Sequence, residues 1–438
     1  MESNFSYYIR SLELSSLLCL LVSFTSPRKS SLKTKQQNMK SKSMLKFQLQ
    51  YFGVMCLVYL CDWLQGSYMY NLYERYGYSM DKIAILFSIG FTSSAMFGVV
   101  VGHIADRFGP KFGCLMYCIC NYLSCLSTIS SNMYILGIGR VLGGISSSLL
   151  HSVFEVWMLS AHKHSGFESS SLDKIFSWST WLSGLTAVLS GCLANVLVFH
   201  FGYVSPFMLS CVCSFVAYLA IDCLWADFRP FELIVKQHQS LWSVLHYILT
   251  DRSVLTIGVI QCVFESSMYI FVFLWTPTLA SVSGNQLPSG VIFSTLMIYM
   301  MLGSLVFKLL KKRCKLNSMV CWIFTVSILS FGVMVVSTNE YETFFAFNLY
   351  EFSCGLYFPC IARLRSQLIQ DEKRATVMNA FRVPLNLIVI MMLASGGTFN
   401  TLEKLVLCVL LNLFGFVVTL LHINYMKNPK HVIKLTLF

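Results

Sequence analysis

The chain has 438 residues, of which 56% are hydrophobic and only 12% charged, with a formal net charge of +12. Soluble domains run at about 45–50% apolar and about 25% charged, so this composition excludes a soluble globular enzyme, a disordered chain and a fibrous one. The basic balance does not point to nucleic acid, because the cations sit in short clusters between apolar runs and no zinc-finger spacing, basic heptad helix or RNA-binding aromatic signature occurs.

The elements follow in chain order. An apolar run at about 11–24 comes first. It is short enough for a signal-peptide core, an anchor or a true span. No small-residue cleavage pattern follows it, and a polar basic stretch at 25–46 does, which favours an uncleaved N-terminal helix. Twelve longer apolar runs come next, at 48–70, 82–102, 112–130, 134–158, 175–198, 204–224, 254–280, 290–307, 318–337, 343–362, 376–396 and 403–426. A membrane-crossing helix needs ~20 apolar residues, so these are core helices 1 to 12. They are too long, and too irregular in alternation, for strands of a membrane barrel. The link at 225–253 is the longest inside the core.

The expected organisation is therefore an N-terminal helix with a basic linker (1–46), a six-helix half (47–224), a central cytosolic loop (225–253), a second six-helix half (254–426) and a cytosolic tail (427–438). If core helix 1 starts in the cytosol, 26 of the 32 Lys and Arg fall in cytosolic segments, 4 fall outside, and Arg140 and Arg382 remain in the membrane. That asymmetry satisfies the positive-inside rule. The extra helix then places the N-terminus outside. The 17 cysteines form no CxxC pair and no metal-spaced cluster with His, so they read as small buried hydrophobes, with no metal site and no cofactor expected.

The loop between core helices 2 and 3 reads GHIADRFGPK, residues 102–111. It resembles the G-x-x-A-D-R-x-G-R-K signature of the major facilitator superfamily, which lies in the same loop. Gly109 permits a tight turn. Asp106 can cap a helix start and pair with Arg107 or Lys111, which would make a cytosolic latch between the two halves. Pro110 departs from the basic residue usual there. Core helix 4 opens as GRVLGG and continues as Arg140, Gly144, Ser147, His151 and Glu155, a spacing that keeps one helical face polar. Its start is similar to a second signature of that superfamily, R-x-x-x-G.

Core helix 1 offers Asp62 and Gln65, core helix 7 Gln261, Glu265 and Tyr269, core helix 10 Asn348 and Glu351, and core helix 11 Asn379, Arg382 and Asn386 with Pro384. A charge within the membrane costs ~3 kcal/mol even on a mild insertion scale, so such residues face a cavity or fix helix packing as ion pairs. A rise of 1.5 Å per residue puts Asp62 and Arg140 at matching depth and predicts that they pair. It puts Arg382 and Glu155 nearer the cytosol. In the superfamily, core helices 1, 4, 7 and 10 line the central cavity, which implies the same here.

The resemblance extends further. DWLQGSYMYNLY (62–73), GRVLGG…FEVW (139–157), FESSMYIFVFLWTP (264–277), CGLYFP (354–359) and FRVPLN (381–386) are similar, in the same order, to segments of the eukaryotic molybdate-anion transporter family. Ser183 is a departure, where that family leads one to expect Asn. The resemblance implies an all-α integral membrane protein of the cell membrane, with the major facilitator fold, two six-helix halves and an extra N-terminal helix. It implies uptake of molybdate or a related oxyanion across a cell membrane; a secondary carrier working by alternating access, as a monomer in the bilayer, is expected.

Protons are the expected driving ion. The substrate and coupling residues expected are Asp62, Gln65, Arg140, Ser147, Glu155, Gln261, Glu265, Glu351, Asn379, Arg382 and Asn386. Arg382 is the expected direct anion ligand, because its planar fork binds oxyanions bidentately. One conflict stands: four intramembrane acids face two arginines, a balance better suited to a cation than to a dianion. A carrier for a cation or small organic solute, and a non-transporting receptor or scaffold, therefore stay open. Enzymatic function is not expected, since no nucleophile–base pair or metal motif is visible, and the lack of a G-x-x-x-x-G-K-[ST] loop argues against ATP-driven pumping.

Overall fold

The computed structural model describes residues 2–24, 37–167, 171–227, 241–283, 287–369, 371–394 and 399–427. Among them every regular element is a helix. α1 (Glu2–Phe24) precedes α2 (Gln37–Gly66), a short α3 (Met69–Arg75), α4 (Met80–Phe108), α5 (Pro110–Ser127), α6 (Met133–Leu150), α7 (Val153–His164), α8 (Leu172–Phe201) and α9 (Ser205–Leu224). A linker helix α10 (Leu241–Thr250) leads to α11 (Arg252–Ser283), α12 (Ser289–Leu310), α13 (Leu316–Val336), α14 (Glu340–Leu368), α15 (Asp371–Ala394) and α16 (Thr401–Lys427). Among the described residues ten stretches, α1 included, are long and apolar enough to cross a membrane.

Two features differ from the sequence expectation. Core helix 4 is two helices, α6 and α7, separated at His151 and Ser152. The serines there compete with the helical ladder: Ser152 Oγ donates to Ser148 O (2.9 Å) and Ser148 Oγ to Gly144 O (3.1 Å), each four residues back. Such side-chain bonds offer the backbone an alternative to the regular helix. The other is α3, whose Tyr70, Leu72 and Tyr73 are buried against the bundle.

The helices sort into two halves with one pairing scheme. In the first, α2 packs on α8 and α9, α6 on α4 and α5, and α5 on α9; in the second, α11 packs on α15 and α16, α14 on α12 and α13, and α13 on α16. Glycines make two equivalent contacts close. A Cβ on Gly144 would lie 2.5 Å from Gly90 O, across α4–α6. A Cβ on Gly355 would lie 2.0 Å from Met300 O, across α12–α14. The halves meet through α8 with α12 and α4 with α15.

α13 shows why uniformly apolar helices still have an inside. Trp322, Leu329 and Val336 are exposed on one face, while Met319, Ile323, Ser327 and Phe331 are buried on the other. The exposed stripe suits lipid, and the backbone groups are satisfied within the helix, as a span requires. α1 does the same: it packs on α12 and leaves Leu14, Leu17 and Leu21 exposed. Its Tyr8 is fully buried and donates to Glu340, in the first turn of α14, while Tyr7 stands edge-on to Tyr341 at 4.4 Å.

Candidate functional site

Gln261, Glu265 and Tyr269 follow one another at four-residue steps on α11, which keeps them on one face. Gln261 is buried and donates through Nε2 to Glu265 Oε2 at 3.3 Å. Tyr357 of α14 donates its hydroxyl to Glu265 Oε1 at 3.1 Å. Arg365, near the end of α14, donates through Nη1 to Gln261 Oε1 at 3.1 Å and reaches Met378 Sδ, also at 3.1 Å. Both Arg365 and Arg382 act electrostatically on Glu265. The sequence placed Arg365 in a cytosolic loop; the structure places it in the last turn of a helix extended by six residues beyond the apolar run, with its side chain turned into the bundle. Tyr357 was not expected here either, since an aromatic in an apolar run carries no distinguishing signal.

Arg382 is exposed although it lies within a core helix. A Cβ on Gly98 of α4 would lie 3.6 Å from Arg382 Nη1 and 3.9 Å from Ser148 Oγ. The guanidinium therefore crosses from one half to the other, and its exposure is to the space between them. His151, at the break in core helix 4, is exposed and feels the charge of Arg382. Glu155 is exposed one turn further along α7, and Ser147 and Asn386 are half-buried. The side chain of Asn379 lies outside the described residues.

Other expected residues are elsewhere. Arg140 does not pair with Asp62: among the described residues the ion pair within 4.0 Å is Lys111–Asp222. Arg140 instead donates from Nε to Leu86 O at 3.3 Å, lies over the Phe87 ring at 5.2 Å, and fills the space that a side chain on Gly90 would take. Equal depth did not mean adjacency, because α6 turns this face to α4 while α2 packs on α8 and α9. Asp62 has Tyr59, Tyr117 and Cys125 as electrostatic neighbours, on α2 and α5. Gln65 is held inside the first half, bonding Cys61 O and Asn121 Oδ1, both at 3.0 Å. Glu351 is 6% exposed, in the second half beside Tyr350 and Cys354. Ser183 accepts from Trp63 Nε1 at 3.3 Å.

Arg365 and Arg382 both act on Glu265, and Arg382 also acts on His151, while Glu155 has Tyr51 and Tyr59 of α2 as its electrostatic neighbours. Arg365, which was not among the two arginines counted within the membrane, offsets part of the excess of acid found along the sequence.

One end of the molecule is closed. Near the start of α12, a Cβ on Gly290 would lie 2.2 Å from Gly191 O of α8, so the two backbones touch across the halves. At the same end Phe273 of α11 stacks edge-on with Phe87 (5.4 Å) and Tyr70 (6.0 Å), and Phe91 meets Tyr269 at 5.1 Å. Lys404 is 2% exposed, 5.8 Å above the Phe273 ring, with Asp81 of α4 within electrostatic reach. This is the end poor in basic residues.

At the other end, Gly109 has φ 89° and precedes Pro110, the first residue of α5. A positive φ suits glycine, and proline suits the first helical turn, where no donor is needed. Lys111 Nζ bonds Asp222 O at 2.9 Å and approaches Asp222 Oδ1 at 3.5 Å. Lys111 therefore ties α5 to the end of α9 within one half. The side chains of Asp106 and Arg107 lie outside the described residues.

A family model described as sugar transporters with 12 transmembrane segments matches residues 15–344. A molybdate-anion transporter of Takifugu rubripes is 33% identical over 383 residues, covering 78% of each chain. A molybdate-anion transporter of Danio rerio is 31% identical over 411 residues, 85% of this chain and 83% of its own. Among solved structures, the nucleoside transporter NupG, in a mutant form, superposes with a TM-score of 0.69 at 11% identity, over 87% of this chain and 98% of its own. That last likeness is one of fold.

Proposed function

The chain belongs to the molybdate-anion transporter family of the major facilitator superfamily, and from that premise we propose that this multi-pass protein of the cell membrane carries molybdate inward, driven by protons and by alternating access. The relatives of that name supply the cargo. The observation that carries the reading for this chain is Arg382, an exposed guanidinium within a core helix that reaches across to Gly98 of the opposite half. A dehydrated tetrahedral dianion needs a fixed positive charge and several donors. Arginine keeps its proton at any working pH and offers a planar fork to oxyanion pairs.

Alternating access would use the contact between α8 and α12. In the state described the halves meet at Gly191 and Gly290, and the charged group lies away from that closure. Parting the glycine contact while the other end closes would present Arg382 to the opposite side. Protons would enter through carboxyl groups. Asp62 and Glu351 have no ion-pair partner within 4.0 Å among the described residues, and Glu265 is within electrostatic reach of two arginines. A proton on Glu265 would remove the negative charge that competes with the anion for Arg382. Asp106, Arg107, Gly109 and Lys111 would form the cytosolic latch when that end closes; in the state described Lys111 is engaged with Asp222 of its own half.

The test is initial-rate uptake of labelled molybdate in cells with and without the chain, with tungstate and sulfate as competitors. Molybdate uptake that depends on the chain and is competed by tungstate is expected. Absence of oxyanion uptake by a chain present in the membrane would sink the reading.

A further inference from the structure

Glu265 is met by donors from two helices, Gln261 on its own helix and Tyr357 on α14, while Gln261 is in turn met by Arg365. The amide orders this chain. Its NH2 faces the carboxylate and its oxygen faces the guanidinium, the only way round in which both ends are satisfied. A buried glutamine thus links a cation at one end of the site to an anion at its centre. We propose that Arg365 is a second anion-binding arginine of this site, and that Glu265, joined to it through Gln261, holds the place of the substrate anion while the carrier is empty. This rests on the oxyanion reading above.

Three observations favour it. Arg365 is half-buried, and among the described residues its bonds engage Nη1 alone, which leaves the Nε and Nη2 donors as a fork. Its position near the end of α14, with the side chain turned to Gln261 one turn from Glu265, puts it on the approach from the basic end of the molecule. Glu265 is polarised by both arginines, Arg365 and Arg382. A tetrahedral dianion offers four acceptor oxygens. Two arginine forks and the Tyr357 hydroxyl, released from Glu265, would supply matching donors. A dianion outcompetes a single carboxylate for two guanidinium groups, so its arrival would displace Glu265 from their influence.

A purely structural Arg365 would serve only to offset the charge of Glu265, and a double-mutant cycle separates the two roles. The full-length chain in proteoliposomes is assayed for initial-rate molybdate uptake, at matched protein amount. Arg365→Lys, which keeps the charge and loses the fork, is expected to raise KM at least tenfold. The double variant Arg365→Gln with Glu265→Gln is expected to keep that high KM. A double variant with the KM of Glu265→Gln alone would show that Arg365 only balances charge, and would overturn the proposal. If Arg365→Lys does not fold, Glu265→Gln decides by equilibrium molybdate binding. With no carboxylate to displace, its Kd is expected to equal or fall below that of the wild type, and a tenfold rise would overturn the proposal. Failure of the wild type to take up molybdate would strike the oxyanion reading itself; an unchanged KM in Arg365→Lys beside a working wild type would strike this inference alone.

Discussion

At the scale of single residues, the two intramembrane arginines of the sequence part company. Arg140 is wedged into a helix contact, with Leu86 O, the Phe87 ring and the bare face of Gly90 around it. Arg382 is exposed between the halves. Replacing Arg382 by Lys should therefore cut molybdate uptake at least tenfold with membrane abundance preserved, measured as initial rate per surface-labelled molecule. Replacing Gly90 by Val should act through Arg140: the new side chain would meet Nη2 at about 2.5 Å, and overpacking of this kind costs ~1–3 kcal/mol. Lower thermal stability in detergent is expected there; a Gly90→Val protein as stable as the wild type would show that Arg140 is not confined. Both arginines were legible in the sequence as costly charges, but depth along a helix says nothing of azimuth, which is why Asp62 was matched to the wrong neighbour. Arg365 was illegible for a different reason. A basic residue beside Arg363 at the edge of an apolar run satisfies the charge rule as a loop residue, and only the continuation of α14 to Leu368 turns it inward.

Elements were easier to read than sites. Twelve apolar runs left little choice of secondary structure, whereas the break between α6 and α7 goes with the bonds that Ser148 and Ser152 send four residues back. The pair Arg140–Gly144 and Glu351–Gly355 repeats in the sequence, and its glycines turn out to be the repeated part: each lets core helix 4 or 10 touch its neighbour backbone to backbone. The same device operates between the halves at Gly191 and Gly290. Gly290→Ala would place a methyl group about 2.2 Å from Gly191 O, so α8 and α12 must part. Population of the state open at that end is expected to rise. Phe273, fully buried here, reports it: a Phe273→Cys thiol should react faster with an impermeant reagent applied outside when Gly290→Ala is also present. Equal labelling in both backgrounds would show that this glycine contact does not hold the closure. α1 packs on the second half, through α12 and the Tyr8–Glu340 bond. Tyr8→Phe should lower thermal stability by about 0.5–1.5 kcal/mol, the net contribution of one hydrogen bond, without changing the KM for molybdate.

For the whole molecule the governing quantity is net charge moved per cycle. An inside-negative potential opposes a dianion by ~4.6 kcal/mol per 100 mV, twice the value for a single charge. Arginines cannot offset this, since they stay in the carrier. Protons can, and the bundle carries carboxyl groups without ion-pair partners among the described residues at Asp62 and Glu351, in addition to Glu265. If three protons accompany each molybdate, the cycle moves one positive charge inward, and the potential then assists uptake instead of opposing it. In proteoliposomes, molybdate added outside should produce an inward positive current. Lowering the outside pH should raise that current, and Asp62→Asn should flatten its pH dependence more than it changes affinity at low pH. A current of the opposite sign, net negative charge moving in with molybdate, would exclude coupling to an excess of protons and leave these carboxyl groups as parts of the packing.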